Sequence, residues 1–174
     1  MRFRCSRETY PKNMDTKLDR INPMRRLAYA FAGLLAGDMI LLLYLLQNAL
    51  RARAALLAIH MGEPERQIPA ALDRFVLYAV FSFVGWLSVG ATTALLFPAA
   101  SLTRLSWPLT LAVGAALGPP AMLVILLLLG HGRIYFPTSH PETATLFAYS
   151  MLVSTVSFGV YVGLLRQQNA GRSA

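Results

Sequence analysis

Long apolar runs separated by short polar segments dominate the pattern of this chain. The first run, residues 27–50, carries a single charged side chain, Asp38, near its middle. An α-helix rises about 1.5 Å per residue, and about 20 apolar residues cross the hydrocarbon core of a bilayer. The run therefore predicts a membrane-spanning helix with a carboxyl group close to the bilayer midplane.

Three later runs have the same length and character, at residues 75–97, 109–130 and 144–165. Within the polar segment before the last run, Ser139 and Glu142 have the S-x-x-E spacing of a capping box, which predicts the start of a helix. The pattern as a whole predicts an all-α integral membrane protein, built as a bundle of four transmembrane helices.

Composition agrees with a lipid environment. The chain is 56% hydrophobic and only 14% charged, whereas a soluble domain carries about 25% charged residues. We expect one membrane domain over residues 27–166, flanked by a basic, disordered cytoplasmic tail over residues 1–26 and a short cytoplasmic tail over residues 167–174.

Charge is distributed unevenly along the chain. The first tail holds eight Lys and Arg against three acidic residues, which favours contact with anionic lipid headgroups. No basic stripe interleaved with aromatic residues indicates a nucleic-acid partner. Four spans with both termini inside place 11 Lys and Arg in the cytoplasm and 5 outside. The positive-inside rule then favours both termini in the cytoplasm, although a start at Met14 would narrow that difference. We expect an integral protein of the bacterial inner membrane.

Asp38 has no basic residue in any predicted span to pair with. An ionised carboxylate at the bilayer centre is costly, by roughly 2.5–3.5 kcal/mol on insertion scales. We therefore expect Asp38 to face the bundle interior and to be largely protonated at neutral pH. Such a group is either a functional proton or cation site or a structural carboxyl bonded between helices, and the sequence leaves both open.

A helix-breaking triplet, Gly118-Pro119-Pro120, lies near the middle of the third run. Proline lacks an N–H and cannot donate to the carbonyl one turn earlier, so the triplet predicts a kinked third helix with free carbonyls at the depth of Asp38. Helix breaks at the midplane beside acidic groups bind ions or substrates in secondary transporters, but a kink can also serve packing alone. The candidate ion or substrate site is therefore formed by Asp38 with Gly118, Pro119 and Pro120.

Glycines spaced four apart occur in three of the runs. Small residues at this spacing let membrane helices approach closely, because no hydrophobic force drives helices together in lipid. We expect these glycines to pack the four helices; the alternative is that the last pair forms a homodimer or docks a membrane-protein partner. The pairs are Gly33 and Gly37, Gly114 and Gly118, and Gly159 and Gly163.

No residue pattern in the sequence indicates a catalytic, metal or cofactor site. Cys5 is the only cysteine, and His131, His140 and Glu142 match no metal-ligand spacing. No nucleophile elbow or phosphate-binding glycine loop is present. The sequence therefore predicts neither an enzyme nor a bound cofactor or metal.

Two functional classes remain. The first is a non-catalytic structural or accessory subunit of a membrane complex. The alternative is a small proton- or cation-coupled transporter that uses Asp38 and the broken third helix. The layout of four helices with an acid in the first is similar to that of the small multidrug exporters. This chain has Asp where they have Glu, and longer tails and loops, so the likeness assigns no residues. Substrate, partner and oligomeric state do not follow from the sequence.

Overall fold

A computed structural model describes residues 22–59, 62–129 and 141–173, and these residues form helices joined by short turns. A 3₁₀ turn over Pro64–Arg66 precedes the second span, and a π-helical turn over Trp86–Gly90 interrupts it. The α-helices are α1 Pro23–Ala58, α2 Gln67–Gly85, α3 Ala91–Leu96, α4 Ala99–Thr103, α5 Trp107–Leu129 and α6 Pro141–Ser173.

Four helical segments in the described part of the chain are long and apolar enough to cross a membrane, as the hydropathy pattern predicts. They are Pro23–Ala58, Pro64–Leu96, Trp107–Leu128 and Ala144–Gly171. The second of these comprises the 3₁₀ turn, α2, the π turn and α3, and it ends where Phe97 turns to an extended backbone before Pro98.

The first and last helices are longer than the apolar runs that predict them. At the start of α1, the Asn22 side chain accepts a hydrogen bond of 3.0 Å from the Met24 N–H, and Pro23 occupies the first helical position. Residues 23–26 of the expected tail are therefore helical, as is most of 167–174. Residues 1–21 of the first tail, Ser139 of the predicted capping box, and both histidines of the last loop lie outside the described residues.

The proline-containing helix is continuous. Residues 107–129 are α-helical throughout, with Pro119 and Pro120 inside the helix. The kink at Gly118–Pro120 stays a prediction.

Helix α6 lies at the centre of the packing, and α1 contacts it through the first glycine pair. A Cβ placed on Gly37 would lie 2.7 Å from the carbonyl oxygen of Val153, and one on Gly33 would overlap the backbone of Ser157. Both distances are shorter than any side chain tolerates. The two backbones are therefore in direct contact because both positions lack a side chain.

Helix α5 contacts α6 in the same way through the second glycine pair. A Cβ on Gly114 would lie 2.8 Å from Cα of Thr155, and one on Gly118 would lie 2.7 Å from the backbone nitrogen of Met151. Because Val153 and Ser157 face α1 while Met151 and Thr155 face α5, α6 is held between the other two helices.

The third glycine pair has a different role from the first two. On α6, Gly159 faces Leu111 and Gly163 faces Trp107, and a Cβ on either glycine would lie 3.7 Å from those side chains. This is ordinary van der Waals contact. Along the α5–α6 interface, each glycine therefore faces a larger residue of the other helix. In one half of the interface the glycines belong to α5, and in the other half they belong to α6.

The second span is peripheral. It packs chiefly against α1, and in α2 and α3 only Ala71, Gly85 and Ala94 are buried. Large apolar side chains such as Val80 and Phe83 are exposed along its outer face. In a bilayer this face would contact acyl chains.

Two arginines hold the turn between the second and third spans. Buried Arg26 donates to the Phe97 carbonyl, and Arg166 donates to the carbonyls of Thr103 and Leu105. The Arg166 guanidinium also lies 4.7 Å from the centre of the Trp107 ring. Carbonyls at helix C-terminal ends lack helical partners, and cations there are favourable. These contacts place the start of α1, the 97–105 turn and residue 166 at one end of the bundle.

We predict that alanine substitution has opposite effects at two glycines of the α5–α6 interface. Gly118→Ala forces a Cβ into backbone and should lower the free energy of unfolding by about 1–3 kcal/mol, as overpacking does. Gly159→Ala fits the available space and should be neutral or stabilising by up to about 1 kcal/mol, because alanine is the better helix former. Unfolding by SDS in detergent micelles measures both, and equal losses would contradict the packing described.

Candidate functional site

Asp38 lies on the inner face of α1 and is 7% exposed. The Ser82 hydroxyl of α2 donates a hydrogen bond of 2.7 Å to Oδ1 of Asp38. No Lys, Arg or His of the described residues forms an ion pair with the Asp38 carboxyl. The ion pair seen in this part of the chain joins Glu63 and Arg66 at the surface. The carboxyl thus faces the bundle interior, as its apolar surroundings in the sequence predict, and a hydroxyl group is its contact.

The Ser82 hydroxyl has two acceptors within reach but only one proton. Its second acceptor is the Ala79 carbonyl of its own helix, at 3.0 Å. When Asp38 is ionised, Ser82 can donate to the carboxylate. When Asp38 is protonated, its O–H can donate to the Ser82 oxygen while the Ser82 proton turns to Ala79. The same heavy-atom positions therefore accommodate both protonation states of the carboxyl.

Ser82 also lines a cavity of about 120 Å³ to which residues of all four spans contribute. Most of the lining is apolar, and no Asp, Glu, Lys, Arg or His contributes to it within the described residues. Polar groups enter mainly from α6, where four hydroxyl-bearing residues recur at helical spacing along one face: Ser150, Ser154, Ser157 and Tyr161.

Two polar atoms of cavity-lining residues are fully buried without a hydrogen-bond partner among the described residues. They are Nε1 of Trp86 and the hydroxyl oxygen of Ser157. Buried donors are nearly always paired in folded proteins, and an unpaired one costs about 1–3 kcal/mol. The Ser157 oxygen lies at the α1–α6 contact, where a Cβ on Gly37 would lie 2.7 Å from it.

The π turn presents the Trp86 ring at the cavity wall. Gly90 makes room for the indole, since a Cβ there would lie 2.8 Å from Cδ1 of Trp86. Phe31 of α1 packs edge-on against the ring, with centroids 5.5 Å apart, and Phe83 stacks on it at 5.8 Å. Single π turns inside α-helices are frequent at functional sites.

One end of the cavity approaches the arginine-held turn. Tyr161, which lines the cavity and is 3% exposed, donates to the Ala94 carbonyl at 3.4 Å and accepts from Nε of Arg26 at 3.5 Å. The α6 hydroxyl row thus ends at a buried cation near the start of α1.

The structure places the sequence-predicted site residues in two locations. Asp38 contacts Ser82 of α2, whereas Gly118 contacts α6, where the Ser150 hydroxyl donates to the Gly118 carbonyl at 2.8 Å. Pro119 is half-buried and Pro120 is exposed. The cavity that borders Ser82 is lined by neighbouring α5 residues, including Leu117 and Ala121, and not by the Gly118–Pro120 triplet.

Three residues of this region were not singled out by the sequence: Arg26, Trp86 and Tyr161. Ser82 and Ser157 are among the several polar side chains of the predicted spans that the sequence offers as partners for Asp38. The spacing of hydroxyl residues in the last run, at positions 150, 154, 157 and 161, is a helical periodicity and is visible in the sequence. Arg26 was counted only as a tail charge, and nothing local to it marks it as buried.

Comparison with protein-family models, curated proteins and solved structures finds no match to this chain.

We predict that Ser82→Ala is more destabilising than Ser88→Ala in the same helical span. Loss of the Ser82 hydroxyl leaves the buried Asp38 carboxyl unpaired and should lower the free energy of unfolding by about 1–3 kcal/mol. The Ser88 hydroxyl donates only to carbonyls of its own helix, at 3.0 and 3.1 Å, so its removal should cost about 0.5 kcal/mol or less. SDS unfolding measures the difference, and an equal loss for both variants would contradict the pairing.

Proposed function

We propose that this chain is a non-catalytic integral membrane protein of the bacterial inner membrane, with both termini in the cytoplasm. We further propose that it is a small proton-coupled transporter that exchanges a proton at Asp38. Of the two classes that the sequence leaves open, this one gives the buried carboxyl and the cavity a common role. The coupling site proposed here consists of Asp38 and Ser82, without the Gly118–Pro120 triplet.

A single observation carries the proposal: Ser82, whose hydroxyl is bonded to the buried Asp38 carboxyl, also lines the cavity between the four spans. A carboxyl kept for structure alone needs only a bonding partner. Here the partner connects the carboxyl to a space that can hold a molecule. Intramembrane acidic residues facing a bundle interior are functional more often than not.

The chemistry follows from the Ser82 hydroxyl. When Asp38 takes up a proton, its O–H donates a hydrogen bond to the Ser82 oxygen, and the Ser82 hydroxyl donates to the Ala79 carbonyl instead. Proton loss restores the hydrogen bond from Ser82 to Asp38. The polarity that Ser82 presents at the cavity wall thus changes with the protonation of Asp38, which links cavity occupancy to proton binding.

The second span is the element best suited to respond. It packs chiefly on α1, is largely unburied, and contains both Ser82 and the π turn. A peripheral helix with a π turn can move relative to the α1–α6–α5 core with little loss of buried contact.

The accessory-subunit class makes a different prediction for the same residue. In that class Asp38 serves assembly alone, and its replacement would disturb folding without any pH-dependent property. The third glycine pair gives this class little support, because Gly159 and Gly163 accommodate Leu111 and Trp107 of the same chain.

Infrared difference spectroscopy of the Asp38 carboxyl tests the proposal. The carboxyl band of the protein in bilayers is followed from pH 4 to 9, and the Asp38 component is identified by its loss in Asp38→Asn. We expect it to interconvert between protonated and ionised forms within that range while the folded state is retained. Asp73→Asn, at an exposed position of α2, should leave this component unchanged.

A component that stays in one state throughout the range would contradict proton exchange. Loss of folded protein in Asp38→Asn, with no titrating band in the unmodified protein, would instead favour the accessory-subunit class.

A further inference from the structure

The surface of α5 and α6 carries an open groove that the proposed transport function does not use. Trp107 and Leu111 of α5 form one side of this α5–α6 groove, and α6 residues between Thr155 and Gln167 form the other. We infer that the groove binds one anionic glycerophospholipid, such as phosphatidylglycerol, with an acyl chain along α6 and the phosphate at Arg166. Such a lipid would bind whether or not the protein transports a substrate.

Glycine gives the groove its depth. Gly159 and Gly163 belong to its lining, so no side chain of α6 fills the space beside Leu111 and Trp107 at these positions. Within the described residues, the lining contains no charged side chain, and Leu111 and Trp107 are half-exposed. In a bilayer, an open apolar surface of this kind contacts acyl chains.

The length of the groove matches one leaflet. Thr155 and Gln167 are 12 positions apart on α6, which corresponds to about 18 Å along a helix. One leaflet contributes about 15 Å of hydrocarbon. Thr155 lies near the middle of the apolar run 144–165, and Gln167 lies just beyond its end. The groove therefore extends from the headgroup boundary to the bilayer midplane, as one acyl chain does. A docked transmembrane helix would continue past Thr155 into the other leaflet, where the groove has no described lining residue.

The headgroup end of the groove has a cation beside it. Trp107 lies at this end, at the depth where tryptophan is enriched in membrane proteins, and the Arg166 guanidinium lies 4.7 Å from the centre of its ring. Arg166 donates to the carbonyls of Thr103 and Leu105, which uses two of its five N–H groups, and it is only partly buried. A guanidinium binds phosphate through paired N–H groups. Arg166 can therefore bind a phosphate while it keeps its contacts to the turn.

The charge of this end of the bundle favours an anionic lipid over a zwitterionic one. Described residues 22–26, 97–107 and 164–171 include no acidic side chain. The opposite end differs, because residues 51–74 combine four arginines with three acidic residues. A headgroup with a net negative charge compensates the cationic end, whereas a zwitterionic headgroup brings no net charge. The arginines at the cationic end are Arg25, Arg26, Arg104 and Arg166.

Trp107 can report which lipid occupies the groove. The chain has two tryptophans, so Trp86→Phe leaves Trp107 as the only indole. The protein is reconstituted into phosphatidylcholine bilayers that contain a fixed fraction of phosphatidylglycerol, and the acyl chains of one lipid or the other are brominated in turn. Bromine quenches indole fluorescence on close contact. The ratio of the two quenching efficiencies, corrected for mole fraction, measures the lipid preference at the groove.

We expect phosphatidylglycerol to be preferred about fivefold over phosphatidylcholine, the effect of about one arginine near an anionic headgroup. Arg166→Gln should remove this preference. Arg25→Gln removes the same charge from an exposed position at the same end, on a helix that does not line the groove. It should change the preference by less than about twofold, because exposed charges at a distance are screened by salt.

A second pair of variants tests the groove without a change of charge. Val156→Phe places a ring among the lining residues and should lower the quenching by phosphatidylglycerol to the level of phosphatidylcholine. Val80→Phe makes the same change on the exposed face of the second span and should have no effect.

Three results would overturn the site. Equal losses of preference in Arg166→Gln and Arg25→Gln would mean diffuse attraction of anionic lipid to a cationic end. Equal effects of Val156→Phe and Val80→Phe would mean that the lipid does not bind in the groove. Weak quenching by both brominated lipids would mean that protein, such as a second copy of this chain, covers Trp107. If Arg166→Gln fails to fold, the comparison of the two phenylalanine variants still decides.

Discussion

Direct backbone contact between helices, made possible by glycine, is the constraint on which the rest of this structure depends. Gly33 and Gly37 bring α1 against α6 from one side, and Gly114 and Gly118 bring α5 against it from another. In lipid such contacts replace the hydrophobic drive that assembles soluble proteins. With α6 fixed in this way, Ser157 lies beside Gly37, and therefore next to the helix turn that carries Asp38. The position of the α6 hydroxyl row relative to Asp38 is a consequence of glycine packing.

The remaining span is held by different interactions. The second span carries few buried side chains and contacts α1 through the Asp38–Ser82 bond and the ring contact between Phe31 and Trp86. The cavity lies where this span meets the α1–α6–α5 core. The weakest packing of the molecule and its candidate site thus occur at the same boundary, as is usual for elements that must move in function.

The architecture was largely predictable, because uninterrupted apolar length is a direct physical requirement of a spanning helix. The interior position of Asp38 was predictable for a related reason: a polar group in an apolar helix has to find a partner. Its particular partner was not. Several hydroxyls in the spans were candidates, and only the rotation of α2 about its axis selects Ser82. The depth argument that grouped Asp38 with Gly118 considered distance along the membrane normal alone. It carried no information on which helices are neighbours, and Gly118 packs instead against Ser150 and Met151 of α6.

The central position of α6 has a consequence for biosynthesis. Of the four spans, α6 emerges from the ribosome last, yet both glycine-lined surfaces of the earlier spans are shaped to receive it. Until it is inserted, α1 and α5 have no partner for their closest contacts, and the cavity has no fourth wall. The chain must therefore hold three inserted helices in a loose arrangement and close the bundle in a single late step. Folding of this protein is thus tied to the insertion of α6, the last of the four spans in chain order.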